Sequence, residues 1–298
     1  DARPQFRASQ EASRQGLAIN PSVPNLHLQL SLALQESAQE AWDLGEDPGP
    51  LLARALEATE QAIRVAPRLA LTHTQLGEVL LTRARRRHTK ADLLRAETAF
   101  RRALQLAPGD RNALGNLGRA AGLKALWALE AGQDPSAALA EAMPFLKRAL
   151  AIDARNADLW QYLGAALAVK DRWRLRSGRP VADQEAEEAL LEALELSPST
   201  QEPLLELGHL ALARARAGAP ESALRDTLGR LDQALRQRPR WAEALALRSA
   251  LRQALAPAGS EAQRAAGLDL EAALQANPNL KREWDLGASA PPLPSGRP

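Results

Sequence analysis

Six prolines, Pro21, Pro67, Pro108, Pro198, Pro239 and Pro278, with Ala154 standing in the place between Pro108 and Pro198, divide this chain at nearly even intervals, and the residues before each constrain its fold most. Five residues earlier stand Gly16, Ala62, Ala103, Ala193, Ala234 and Ala273, and four earlier Leu17, Ile63, Leu104, Leu194, Leu235 and Leu274. Ala149, Leu150 and Ala154 supply a seventh instance, with Ala in the place of Pro. A helix ending Ala-Leu-x-x-x-Pro is stopped by its proline, whose ring clashes with a continuing helix and which has no N–H to donate. Seven instances in one register require a repeated helical unit that buries its apolar face on its neighbours. At 298 residues the chain is long for a single core, but a stacked array has no such limit, because each repeat touches only the next. Such an array offers a binding surface rather than a catalytic pocket.

The register continues beyond each proline. Six residues on lie His27, His73, Leu114, Trp160, Leu204, Leu245 and Trp284. Nine on lie Leu30, Leu76, Leu117, Leu163 and Leu207, each followed by a small residue: Ser31, Gly77, Gly118, Gly164 and Gly208. Trp160-Gln-Tyr-Leu163-Gly164, then Ala186, Leu190, Ala193-Leu194 and Pro198, resembles the tetratricopeptide repeat, with a large residue and Leu-Gly on its first helix and small residues plus Pro on its second. The resemblance runs from about Phe6 to Trp284 and implies an all-α, right-handed α–α superhelix. It places a half repeat at 1–21, hairpins at 22–67, 68–108, 109–154, 155–198, 199–239 and 240–278, a cap at 279–286 and a flexible tail at 287–298. Gly or Ser on the first helix and Ala on the second remove bulk where two backbones approach. Asp110, Asn156 and Thr200 stand where an N-cap is needed.

The repeats are long. Successive proline positions lie 46, 41, 46, 44, 41 and 39 residues apart, against about 34 in the ordinary repeat. The excess falls between the two helices of each hairpin. It reads Asp43-Leu-Gly-Glu-Asp-Pro48, Ala131-Gly-Gln-Asp-Pro135, Ser177-Gly-Arg-Pro180 and Ala217-Gly-Ala-Pro220. Gly closes one helix in the left-handed region and Asp-Pro opens the next, so the expectation is elongated helices joined by short turns. Trp42, Trp127 and Trp173 each stand just before such a turn; they either fill the hairpin tips or form an aromatic strip.

Composition narrows the function classes. The formal net charge is only +2, so a sequence pI near 9.3 reflects the lack of groups titrating just above neutrality and says little about nucleic acid. No stretch approaches the roughly 18 apolar residues of a membrane helix, and no secretory leader is evident, so the expected setting is cytoplasmic, without membrane insertion. With no Cys there are no thiolate metal sites. The chain begins at Asp1 with what reads as a second helix lacking its first, which suggests a piece of a longer protein.

Catalytic motifs are not found. Gly115-x-x-Gly118-x-x-x-Gly122 lies within a helix and lacks the Lys-Ser/Thr of a phosphate loop. Glu206-x-x-His209 has the spacing of a diiron ligand pair but no second pair to complete it. No active site, cofactor or metal is expected. Two clusters, Arg83, Arg85, Arg86, Arg87, His88 and Lys90, and Arg172, Arg174, Arg176 and Arg179, allow two readings. Cations favour helix C-termini, for about 0.3–1 kcal/mol each; the alternative is a basic edge for nucleic acid. The acidic first tip and the lack of interleaved aromatics disfavour nucleic acid.

The resemblance implies a concave groove, lined by first helices, that receives a protein or peptide segment. Carried over by position, Glu78, Asn112, Arg119, Asp158, Gln161, Glu202, Leu205 and His209 are the candidate partner-binding residues. Leu28, Leu32 and Leu71 add apolar character to that face. Of the family's carboxylate clamp, only Asn112, Asn116 and Arg119 offer any echo, so the clamp is not expected. The turns at Gly45-Glu-Asp-Pro48 and Gly132-Gln-Asp-Pro135 are similar to repeat regions that follow the catalytic domain of some bacterial serine/threonine protein kinases. That likeness implies a substrate-recruiting or regulatory scaffold of a signalling protein. The alternative is a nucleic-acid-associated repeat protein using its Arg-rich tips.

Overall fold

The structure, a computed structural model, describes residues 3–181, 184–198, 200, 202–218, 221–256 and 259–280. Among these residues the chain forms thirteen α-helices and no strand. A first helix, α1 (Arg3–Ile19), precedes the pairs α2 (Pro24–Asp43) and α3 (Gly49–Val65), α4 (Ala70–Arg87) and α5 (Lys90–Leu106), and α6 (Arg111–Glu130) and α7 (Ser136–Ile152). Then come α8 (Ala157–Arg176) and α9 (Glu185–Leu196), α10 (Glu202–Arg216) and α11 (Ser222–Gln237), and α12 (Ala242–Leu255) and α13 (Glu261–Ala276). The chain divides into two compact units, one of Asp1–Leu123 with Glu141–Ala154 and one of Lys124–Ala140 with Arg155–Pro298. In the first, each of α1 to α4 packs on the next and α2 also touches α4. In the second, α8 packs on α9 and α10, α10 on α11 and α12, and α12 on α13. The first helices α2, α8 and α10 therefore contact both their own partner and the first helix of the next pair. The expected cap at 279–286 lies almost wholly outside the described residues, and the tail at 287–298 entirely so.

Turn chemistry sets the helix ends. Gly45 takes φ 75°, and behind it the Glu46 N–H donates to Ala41 O (2.8 Å) and the Gly45 N–H to Trp42 O (2.9 Å). This pair of bonds satisfies carbonyls that the helix end leaves free. Gly132 and Gly178 repeat it, with Gln133 N–H on Ala128 O and Arg179 N–H on Arg174 O. In the α4–α5 turn His88 stands where the others have Gly, at φ 51°. The Asp-Pro signal works as expected: Asp47 Oδ1 accepts from Gly49 N–H and Asp134 Oδ1 from Ser136 N–H, both at 2.8 Å. Asp110 and Asn156 cap α6 and α8. The Thr200 hydroxyl donates to Ser197 Oγ (2.7 Å), and the residue that follows it lies outside the described residues. One expectation needs correcting. Pro180 does not open a helix; α9 begins only at Glu185, so α8 and α9 are joined by a longer connection than the turn chemistry implied.

Close approach explains the small residues. A Cβ on Gly164 would stand 2.7 Å from Leu190 Cγ and 3.1 Å from Leu190 N, so α8 and α9 could not meet here with any larger residue. Leu190 is fully buried, worth about 1.5–3 kcal/mol of transfer from water. Gly77 stands against Phe100 and Gly118 against Leu146 in the same way, whereas Gly208 meets Leu247 of the next pair's first helix. Ser31, at the corresponding place on α2, instead makes a buried 2.7 Å hydrogen bond with Thr59. Ala62, Ala103, Ala149, Ala193 and Ala273 are fully buried. His27 and His73, where the repeat has Trp, each place Nε2 2.9 Å from the carbonyl of the proline six residues earlier.

Candidate partner-binding surface

Within each unit, helical periodicity puts one stripe of a first helix beside the corresponding stripe of the next. In the first unit, Thr74 Oγ1 donates to Asp110 Oδ2 (3.0 Å) and Asn116 Nδ2 to Glu78 Oε1 (2.9 Å), joining α4 to α6. Glu78 and Arg119 are half-buried beside these contacts and Asn112 is exposed. Asn116 Oδ1 and Gln75 Nε2 are buried without a hydrogen-bond partner among the described residues. Leu32 on α2 and Leu71 on α4 keep 49% and 48% of their surface in water. Leu28, expected on the same face, belongs to the core instead, at 7%.

In the second unit the stripe on α8 runs Asp158, Gln161, Ala165 and Arg172, and on α10 Glu202, Leu205, His209, Ala213 and Arg216. Asp158, Glu202 and His209 are exposed, Gln161 and Leu205 half-buried. The two carboxylates sit in first turns, where the positive end of the helix dipole favours them. Desolvation by the surrounding protein, and then the guanidinium charges of Arg172 and Arg216, lower the His209 imidazole well below its ordinary value. The ring is nevertheless exposed to solvent at its surface, so water tempers the desolvation. The ring is neutral at pH 7. Arg172 and Arg216 escape a sequence reading that assigns arginines near turns to the tips; their spacing from Gln161 and Leu205 was the signal that puts them on the stripe.

Three of the eight tip arginines are engaged by the fold. Arg83 makes a two-pronged pair with Asp92, through Nε at 2.8 Å and through Nη2. Arg86 lies 4.2 Å from the Trp42 ring centroid and donates to Gln39 Oε1 (2.8 Å). Arg176 donates to Leu129 O (3.0 Å) at the end of α6. Trp42 is buried, while Trp127 and Trp173 are half-buried. A hollow lined by Leu175, Val181, Arg214, Ala217 and Gly218 holds one ionisable group, Arg214, and Glu187 occupies it at 2.6 Å. No group of three or more metal-ligating side chains occurs among the described residues, and no helix there is long and apolar enough to cross a membrane.

No family model and no curated protein sequence matches the chain. Solved structures do. A thermophilic TPR protein of Thermus thermophilus superposes with a TM-score of 0.55 at 21% identity, over 78% of this chain and 99% of that one. A chain of the APC/C hetero-tetramer Cut9–Hcn1 gives 0.63 at 14% identity, over 95% of this chain and 45% of that one. The fold is that of the tetratricopeptide repeat. In tetratricopeptide terms α2, α4, α6, α8, α10 and α12 are first helices, and α1 is a second helix that docks on α2, with Gln10 Nε2 donating to Ser37 Oγ (2.8 Å).

Proposed function

We propose that the chain is a protein-interaction scaffold that holds partner segments along its first helices, through Glu78, Asn112 and Arg119 in the first unit and through Asp158, Gln161, Glu202, Leu205 and His209 in the second. The observation that carries this reading is on the first-helix face itself. Leu32 and Leu71 stand half in water there, with Glu78 half-buried on α4 and, on α6, Asn112 exposed and Arg119 half-buried. Exposed apolar anchors beside accessible polar and charged groups suit an extended segment.

The likeness of the Gly-Glu-Asp-Pro and Gly-Gln-Asp-Pro turns to those of bacterial kinase-associated repeats supports a finer reading, a substrate-recruiting or regulatory module of a signalling protein. The nucleic-acid reading loses support because Arg83, Arg86 and Arg176 are engaged by the protein's own groups. Capture of a partner from a lysate of the parent cell tests the groove. Arg119→Glu with Asp158→Arg should lose the partner, while Arg85→Ser with Arg179→Ser should keep it; the reverse pattern sinks the groove reading. The kinase link is judged separately, by whether the parent gene encodes His-Arg-Asp and Asp-Phe-Gly motifs upstream of Asp1.

A further inference from the structure

The second unit's stripe is polarised in charge along its length. Asp158 and Glu202 stand at its N-terminal end, Leu205 just inside, and Arg172 and Arg216 at the other end. Neither of these guanidinium groups makes a salt bridge or hydrogen bond among the described residues, unlike Arg83, Arg176 and Arg214. Arg216 is exposed and Arg172 half-buried, on two helices that pack together. Both charges bear on the His209 ring. Two uncompensated cations on one exposed face favour an anion, because each can form a charge-assisted hydrogen bond with it.

We propose that Arg172 and Arg216, with His209 beside them, form a subsite for the acidic side chains of a bound protein segment. The proposal rests on the groove reading above and sharpens it into a sequence requirement. From Leu205 to Arg216 the α10 axis advances eleven residues, about 16 Å at 1.5 Å per residue. An extended peptide covers that in about five residues. Glu202 lies one turn on the other side of Leu205. The segment therefore carries a basic residue, an apolar residue beside it for Leu205, about four residues of spacer, and then one or two carboxylates. A uniformly basic or uniformly acidic segment does not fit.

The probe is a fluorescein-labelled peptide containing Lys-Leu-Ser-Ser-Ser-Ser-Glu-Glu, its Gln-Gln counterpart, and a random DNA duplex of the same label, titrated with the full chain at low and physiological salt. The Glu-Glu peptide should bind at least tenfold more tightly than the Gln-Gln peptide, with the difference shrinking as salt rises. Arg172→Gln with Arg216→Gln should erase that preference while leaving the weaker Gln-Gln binding unchanged, and Arg172→Lys with Arg216→Lys should restore part of it. Leu205→Asp should weaken both peptides alike, which reports on the groove and not on the subsite. Equal binding of the two peptides overturns the subsite and leaves the groove standing. Retention of the preference in the double Gln variant overturns it too, as does a duplex that binds as tightly as the Glu-Glu peptide. Binding of neither peptide overturns the sequence requirement, and the capture experiment above then decides the groove separately.

Discussion

Replacing Gly77 with alanine should destabilise the α4–α5 hairpin, although the same exchange elsewhere in the chain should stabilise it. A Cβ at Gly77 would stand 2.6 Å from both Cδ1 and Cζ of Phe100, a ring with no exposed surface and hence no room to yield. Overpacking of this kind costs about 1–3 kcal/mol. Against that stands alanine's helix propensity, about 1 kcal/mol better than glycine's. At Gly229 and Gly267, inside α11 and α13, nothing lies within 4 Å of the added Cβ, so only the propensity gain of about 0.5–1 kcal/mol remains. Phe100→Leu alone leaves space and costs about 1 kcal/mol or more. In Gly77→Ala with Phe100→Leu, the methyl fills that space, so the double variant should be at least about 1 kcal/mol more stable than the sum of the singles. Urea titration followed by far-UV circular dichroism measures the four proteins. Amide exchange in α4 and α5 localises the change, since a repeat array need not unfold in one step. If Gly77→Ala stabilises as Gly229→Ala does, or if the two substitutions add, the packing argument for these glycines is wrong.

His88 holds a left-handed conformation without being Gly, so His88→Gly should raise stability by about 1 kcal/mol, whereas Gly178→Ala, with open space around it, should lower it by a similar amount in thermal melts. Arg83→Ala should destabilise by more than about 1 kcal/mol because it strands the buried Asp92 carboxylate, while Arg85→Ser should change little in urea titration. Asp269→Asn removes the carboxylate shared by Arg248 and Arg252 on α12, and should cost about 3 kcal/mol and loosen α13 first in amide exchange. The His209 ring proton, followed by NMR, should titrate well below 6.5, and Arg172→Gln with Arg216→Gln should move its midpoint up without restoring the ordinary value, because desolvation is the larger cause. Since that value lies below the unfolded chain's, the group opposes folding progressively as pH falls below about 6.5 and has no such effect above it.

The fold was legible because its constraints are local and repeated. Ala-Leu-x-x-x-Pro, Leu-Gly and Gly-x-Asp-Pro each fix a helix end or a point of close approach within a few residues, and they agree on where the helices turn. Thus Gly132, with Asp134 capping the helix beyond it, behaves as its neighbours in sequence require. The α4–α5 turn was legible only as a cluster of cations, because the left-handed residue there is His88 and not Gly. The late start of α9 hid because Pro180 imitates an opening proline, although no capping side chain precedes it as Asp47 precedes Pro48.

The surface was less legible, for a physical reason. A position on a first helix tells which way a side chain faces but not whether its charge is already neutralised. Arg83 and Arg172 look alike in sequence: each lies in the last turns of a first helix, among other arginines. Only three-dimensional pairing separates them. Asp92, near the start of the following helix, reaches Arg83, while Glu185 and Glu187 on α9 serve Lys170 and Arg214 and leave Arg172 uncompensated. The same partition works on α10, where Arg214 points to Glu187 and Arg216, two residues on, faces the stripe. A step of two residues turns a helical side chain by about 200°, so neighbouring arginines fall on opposite faces with opposite roles. One holds the hairpins together, and the other stands unneutralised on the face where a partner would lie.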